Sequence, residues 1–142
     1  MEGALLVRDV MTENVRTVRP NSTITEVVRK MNKFEVGSVV VVEGERPVGL
    51  ITERDILRRV LEVTLAAEAM KAKEVMSSPL VTVSSEATVE EAARLMVERH
   101  IKKLPVVKDG KLIGIVTSTD IVRSQPRMVE ILSDVVWRLG RS

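Results

Sequence analysis

Apolar residues along this 142-residue chain recur at two spacings. Ile24, Val27, Val28 and Met31, and later Val89, Ala92, Ala93 and Met96, fall at i, i+3, i+4 and i+7, the stripe of a helix buried on one face. Each stripe opens at a capping-box pattern, Thr23-x-x-Glu26 or Thr88-x-x-Glu91, whose side chains satisfy free amides at a helix start. A short β-like segment precedes each helix, Val15 to Val18 or Leu80 to Val83. After it comes an apolar run rich in valine, Val39 to Val42 or Leu104 to Val107, then a turn at Gly44 or Asp109-Gly110. A second strand, Val48 to Ile51 or Ile113 to Val116, leads into another helix start at Thr52-x-x-Asp55 or Thr117-x-x-Asp120.

The two series are copies. Residues 7 to 60 align with 72 to 125 at a constant offset of 65, with 15 of 54 pairs identical and no gap. Each copy reads β-α-β-β-α, and a unit of this size buries little by itself. The chain is therefore expected to be an α+β protein of two repeats packed sheet to sheet with pseudo-twofold symmetry. Repeat 1 is placed at 5–62, a helical linker at 63–72, repeat 2 at 73–125 and a C-terminal amphipathic helix at 126–142. Val60 to Lys73 is helix-prone, with Val60, Leu61, Leu65 and Ala69 on a broad face. After Pro126, residues Met128, Ile131, Leu132, Val135 and Leu139 share a face that stops at Gly140. Such a stripe packs on its own domain or forms a subunit interface.

Composition narrows the chemistry. With no cysteine and one histidine, His100, there is neither a disulfide framework nor a Cys/His zinc site. Phe34 and Trp137 are the only aromatic residues, too few to stack nucleic-acid bases. The net charge is +2, with 22 basic and 20 acidic residues interspersed, so a nucleic-acid-binding regulator is a remote alternative. No signal peptide or membrane span is visible, which points to a cytoplasmic protein. Frequent Glu against three Asn and one Gln suggests a thermophilic source. Asn21-Ser22-Thr23 fits a glycosylation sequon, which has no meaning without secretion. No nucleophile with its base and no metal cluster is spaced for catalysis, and no enzymatic activity is expected.

Several blocks recur at the repeat offset. They are Arg8-Asp9-Val10-Met11-Thr12 with Lys73-Glu74-Val75-Met76-Ser77, and Gly49-Leu50-Ile51-Thr52-Glu53-Arg54-Asp55 with Gly114-Ile115-Val116-Thr117-Ser118-Thr119-Asp120. Together with Ile101-Lys102-Lys103-Leu104-Pro105-Val106-Val107, they resemble the tandem CBS-domain family, over about residues 5 to 125. The resemblance implies a regulatory module that binds AMP, ADP, ATP or S-adenosylmethionine between paired repeats. Such modules form flat homodimers, and a regulated partner protein is implied without being named.

An ionised Asp can accept both hydroxyl protons of a ribose cis-diol, and Thr offers a hydroxyl to a sugar or phosphate oxygen. The glycine before the strand would let the backbone approach a flat base. The same Thr-x-x-Asp is also a capping box that needs no ligand, and both roles can coexist. In the family's pattern the Thr-x-x-Asp of one repeat is joined by the first strand and pre-hairpin residues of the other. The first set is then Leu50, Thr52, Asp55, Leu80, Val81, Thr82, Lys102 and Lys103, with the lysines reaching phosphates. The second is Val15, Arg16, Thr17, Gly37, Ser38, Ile115, Thr117 and Asp120. Gly37 and Ser38 replace the lysines there, so the second set is expected to bind more weakly. Arg54 and Arg58 are additional phosphate candidates. A ligand-free structural or dimerisation module is the main alternative.

Overall fold

The computed structural model describes residues 4–61, 67–133 and 135. The chain divides into two compact units, one formed by 15–80 and one by 4–14 together with the chain from 81 onward. The first contains β1 (Thr17–Val18), α2 (Ile24–Phe34), β2 (Ser38–Glu43), β3 (Arg46–Thr52), α3 (Glu53–Ile56), a π-helical turn (Leu57–Leu61) and α4 (Ala72–Val75). The second contains α1 (Val7–Val10), β4 (Val83–Ser84), α5 (Val89–Arg99), β5 (Lys103–Lys108), β6 (Lys111–Thr117), α6 (Ser118–Ser124), a 3-10 turn (Pro126–Met128) and α7 (Val129–Ser133). Each sheet has three strands in the order β1-β2-β3 or β4-β5-β6, the first pair parallel and the hairpin antiparallel.

The repeat registers are nearly superimposable, including a bulge at Val41/Val42 and at Val106/Val107. One difference has a covalent cause. Val40 donates its N–H to the Arg16 carbonyl at 3.0 Å, whereas its counterpart Pro105 has no N–H to give to Val81. At the other end, Ser85 donates to the Val107 carbonyl at 3.0 Å, whereas its counterpart Pro20 cannot. Two prolines at non-equivalent positions thus move β4 one residue later than β1.

Each unit has its own apolar core. Ile24, Val27 and Met31 of α2 meet Val39, Val41 and Ile51 of the hairpin, with Val60, Ala72 and Val75 closing the cluster. In the second unit Val89, Ala92, Ala93 and Met96 meet Leu104, Val106 and Val116, with Met128, Leu132 and Val135 added. The C-terminal stripe therefore packs on its own unit as far as Val135; Leu139 and Gly140 lie outside the described residues.

The leading segments are exchanged. Residues 5–12 dock on the second repeat, with Val7 N–H to Ala87 O at 2.8 Å and Val89 N–H to Leu5 O at 2.9 Å. Residues 70–77 dock likewise on the first, with Ile24 N–H to Met70 O at 3.0 Å and Ala72 N–H to Ser22 O at 2.8 Å. This pairing corrects the expected helix from Val60 to Lys73. An extended bridge between Thr23 and Lys71 needs backbone groups that a continuous helix would consume, so residues 67–69 turn, Ala69 is exposed, and α4 starts afresh. Leu65 lies outside the described residues.

Candidate functional site

Both Thr-x-x-Asp motifs stand at the junction of the last strand and the following helix. Thr52 has extended backbone as the N-cap of α3, and Thr117 does the same for α6. Asp55 Oδ2 accepts from Thr52 N–H at 2.8 Å, and Asp55 N–H donates to Thr52 Oγ1 at 3.2 Å. Asp120 Oδ2 accepts from Thr117 N–H at 2.9 Å, and Asp120 N–H donates to Thr117 Oγ1 at 3.1 Å. Each half-buried carboxylate is thereby held by one oxygen, while Oδ1 takes no hydrogen bond among the described residues. The threonines differ, because the Thr52 hydroxyl also donates to Asp55 Oδ2 at 3.0 Å. Thr88 and Glu91 form the same reciprocal box, so capping alone marks no ligand site. Only its hydroxyl half forms at Thr23, which accepts from Glu26 N–H at 3.1 Å.

The pre-hairpin residues are tied by backbone to the Thr-x-x-Asp turn of their own repeat. Gly37 O accepts from Glu53 N–H at 3.0 Å and Lys102 O from Ser118 N–H at 2.9 Å, while Ser38 pairs with Thr52 and Lys103 with Thr117. Thr17, Val40 and Leu50 form one row across the first sheet, and Ile115 pairs with Pro105 in the second. Leu50, Thr52, Asp55 and Leu80 of the first expected set thus belong to one unit, and Val81, Thr82, Lys102 and Lys103 to the other. In the second set, Val15, Arg16, Thr17, Gly37 and Ser38 belong to the first unit, and Ile115, Thr117 and Asp120 to the second. The Arg16 guanidinium lies 3.7 Å from the centroid of the Phe34 ring, a cation–π contact that occupies it within its own unit.

The expected role of the glycines is corrected. A Cβ on Gly49 would lie 2.3 Å from Met76 Sδ and 2.7 Å from Met76 Cβ, and one on Gly114 would lie 2.5 Å from Met11 Sδ and 2.9 Å from Thr12 O. What approaches the backbone at these positions is the methionine of the docked segment, and not a base. Ser77 N–H to Leu50 O and Thr12 N–H to Ile115 O, both 2.9 Å, fasten those segments beside the site strands. In the sequence, Met11 recurs as Met76 and Gly49 as Gly114, which marks the four positions without saying which methionine meets which glycine. Arg59 supports the packing, with Nη1 donating to Val75 O at 2.9 Å and Met76 O at 3.3 Å. Arg58 is exposed and Arg54 half-buried. His100 is exposed and caps α5 in a left-handed conformation at φ 54°, a structural position. Among the described residues no three His, Cys, Asp or Glu side chains cluster to hold a metal ion.

The sequence profile of the CBS domain matches residues 7–62 and 72–127. The chain belongs to the CBS-domain family. The CBS domain-containing protein YhcV of Bacillus subtilis is 37% identical over 119 residues, covering 84% of each chain. An uncharacterised protein of Methanopyrus kandleri is 40% identical over 130 residues, which is 90% of this chain. The chain spans 66% of that protein's length and 65% of an archaeal relative from Methanocaldococcus jannaschii. Among solved structures, CBSX2 in complex with AMP is similar with a TM-score of 0.74 and 27% identity, over 87% of this chain and 98% of that one. The two CBS repeats explain the exchange of leading segments as a symmetric feature, since each repeat receives the Val-Met segment that precedes the other. No helix among the described residues is long and apolar enough to cross a membrane.

Proposed function

We propose that this chain is a regulatory CBS module that binds an adenosine-containing ligand and passes its occupancy to a partner protein by population shift. AMP, ADP and ATP are favoured over S-adenosylmethionine. The observation that carries this reading is the pair of anchored carboxylates: Asp55 and Asp120 are each oriented through Oδ2, leaving Oδ1 and its two lone pairs for the hydroxyls of a ribose. The similarity to CBSX2, solved with AMP, supports the ligand class. The Val81 carbonyl, to which Pro105 has no N–H to offer, suits the amino group of adenine, with Leu50, Leu80 and Val81 as aliphatic contacts for the ring. Lys102 and Lys103 supply charge for phosphates, alongside Thr82. The second set, with Val15, Arg16, Thr17, Gly37, Ser38 and Ile115 serving Thr117 and Asp120, is the weaker site.

Calorimetric titration of the full chain with AMP, ATP and S-adenosylmethionine tests the reading. Asp55→Ala and Lys103→Ala are each expected to weaken AMP or ATP binding about ten- to a hundredfold, the worth of one charge-assisted hydrogen bond. Asp55→Asn keeps an acceptor for the Thr52 N–H and separates loss of ligand from loss of the cap. The competing reading, a ligand-free dimerisation module, is favoured by the fact that both boxes are satisfied internally. It prevails if none of the three compounds binds the wild-type chain. The module is proposed to act in the cytoplasm as a homodimer, with the exposed Leu57 and Val129 as apolar contacts.

A further inference from the structure

The first repeat contains a half-open surface pocket of about 470 Å³, with Arg19 and Glu26 exposed, outside the residues assigned to the nucleotide apart from Thr17. It is lined by Thr17, Arg19, Ser22, Glu26, Lys30 and Val42, among others, all within the unit 15–80. This volume lies in the range of small-molecule sites. The second repeat provides an internal comparison, because each lining residue has a counterpart 65 positions later. Lys30 corresponds to Leu95, a partly buried residue packed on the core of the second unit. Arg19 corresponds to Ser84, and Ser22 to Ala87. Glu26 corresponds to Glu91, but Glu91 spends its carboxylate on capping Thr88, whereas the Glu26 carboxylate takes no hydrogen bond among the described residues. Pro20, by failing to donate where Ser85 does, also leaves the Val42 end of the strand without that rung. Four substitutions, at Arg19, Pro20, Ser22 and Lys30, and the different use of Glu26 therefore converge on one pocket.

The charges are arranged for a ligand with two kinds of group. Lys30 Nζ is partly buried and donates to Thr17 O at 2.5 Å, which fixes one of its three protons and holds the ammonium against the wall. Ser22 Oγ accepts from Arg19 N–H at 3.0 Å, so its hydroxyl proton can be donated. The Arg19 guanidinium has no ion pair or hydrogen bond among the described residues, and it lines the same cavity as Glu26. Two cations and two hydroxyls suit a carboxylate or phosphate, and one acceptor carboxylate suits an ammonium or hydroxyl on the same molecule.

We propose that this cavity is a second ligand site, present in the first repeat only, for a small organic anion that also carries a hydrogen-bond donor group. The chemistry is shared by α-amino acids and by hydroxylated phosphate esters. It does not depend on the adenosine reading, since no residue of the cavity other than Thr17 belongs to that site.

The test is titration calorimetry of the full chain with L-serine, glycerol 3-phosphate and inorganic phosphate. Binding of L-serine or glycerol 3-phosphate supports the proposal and identifies which source of the chemistry is used. Lys30→Leu and Arg19→Ser, which install the residues the second repeat already tolerates, are each expected to weaken that binding at least tenfold. Glu26→Gln is expected to weaken the L-serine or glycerol 3-phosphate complex while leaving inorganic phosphate as tight or tighter, because the repelling carboxylate is gone, and Asp55→Asn is expected to change none of these. The proposal is overturned if neither organic probe binds, if inorganic phosphate binds as tightly as both, or if Lys30→Leu and Arg19→Ser bind like the wild type.

Discussion

Gly49→Ala probes how the segment before the second repeat is seated on the first. Its new Cβ would meet Met76 Sδ at 2.3 Å, Cγ at 2.6 Å and Cβ at 2.7 Å, against 3.4–4 Å for ordinary contact. Rotating the side chain relieves the first two clashes but not the third. The Met76 backbone is meanwhile pinned, through its N–H to Ala72 O at 2.9 Å, through Ser77 N–H to Leu50 O at 2.9 Å, and through Arg59. Overpacking of this kind costs about 1–3 kcal/mol. Restricting the unfolded chain at a former glycine returns about 0.4–1 kcal/mol, so the net destabilisation is about 1–2 kcal/mol. Gly44→Ala is the control of similar size and different cause, because φ is +64° and nothing lies within 4 Å; its cost, about 1–2 kcal/mol, is conformational. The two are separated by combining each with Met76→Gly, which removes the clashing Cβ as well, and measuring urea unfolding by far-ultraviolet circular dichroism. Gly49→Ala with Met76→Gly should fall short of additivity by at least about 1 kcal/mol, whereas Gly44→Ala with Met76→Gly should add within about 0.5 kcal/mol. Additivity in the Gly49 cycle would refute the packing explanation.

Further outcomes follow from the caps, the surface ion pair and the exposed side chains. Thr88→Ala removes the hydroxyl that accepts from Glu91 N–H at 3.1 Å and should lower stability by about 1 kcal/mol in the same urea assay. Arg8 Nη1 contacts both oxygens of Glu86, at 2.6 and 2.7 Å, and this hydrogen bond with the arginine holds the Glu86 carboxyl below the ordinary carboxylate value. A carboxylate with a depressed folded-state pKa stabilises above its unfolded value and loses that contribution as pH falls through the folded one. The stability gap between wild type and Arg8→Ala should therefore be small at neutral pH, given the exposure of both groups, and close on acidification. Leu57, 59% exposed, is the apolar side chain whose change to Glu should shift a dimer toward monomer in sedimentation at micromolar concentration; a wild type that is already monomeric would remove the dimer from the proposed function.

The elements were legible because local chemistry and the tandem pattern agree. Thr23, Thr52, Thr88 and Thr117 are all N-caps, and the stripes of α2 and α5 bury the residues their spacing indicates, Val28 only partly. What escaped was information that resides in pairs distant along the chain. Val10-Met11 and Val75-Met76 look like the start of the repeat they precede, yet each docks on the other copy, where a glycine admits its methionine. Nothing local says which partner a short Val-Met segment will choose. The one-residue shift between β1 and β4 was legible in principle, because Pro20 and Pro105 stand at positions where the other copy has Ser85 and Val40, and a missing N–H removes a rung wherever it falls. The site divides in the same manner. Asp55 and Asp120 are identical in motif, and the sequence cannot distinguish Thr52, whose hydroxyl is turned onto its aspartate, from Thr117, for which that bond is absent among the described residues. Glu26 and Glu91 are likewise the same residue in the same box, and only the placed side chain shows one capping and the other facing a cavity. A repeat offset therefore does two kinds of work: its identities locate the fold, and its mismatches, Lys30 against Leu95 or Lys103 against Ser38, locate where two copies of one unit have been given different chemistry.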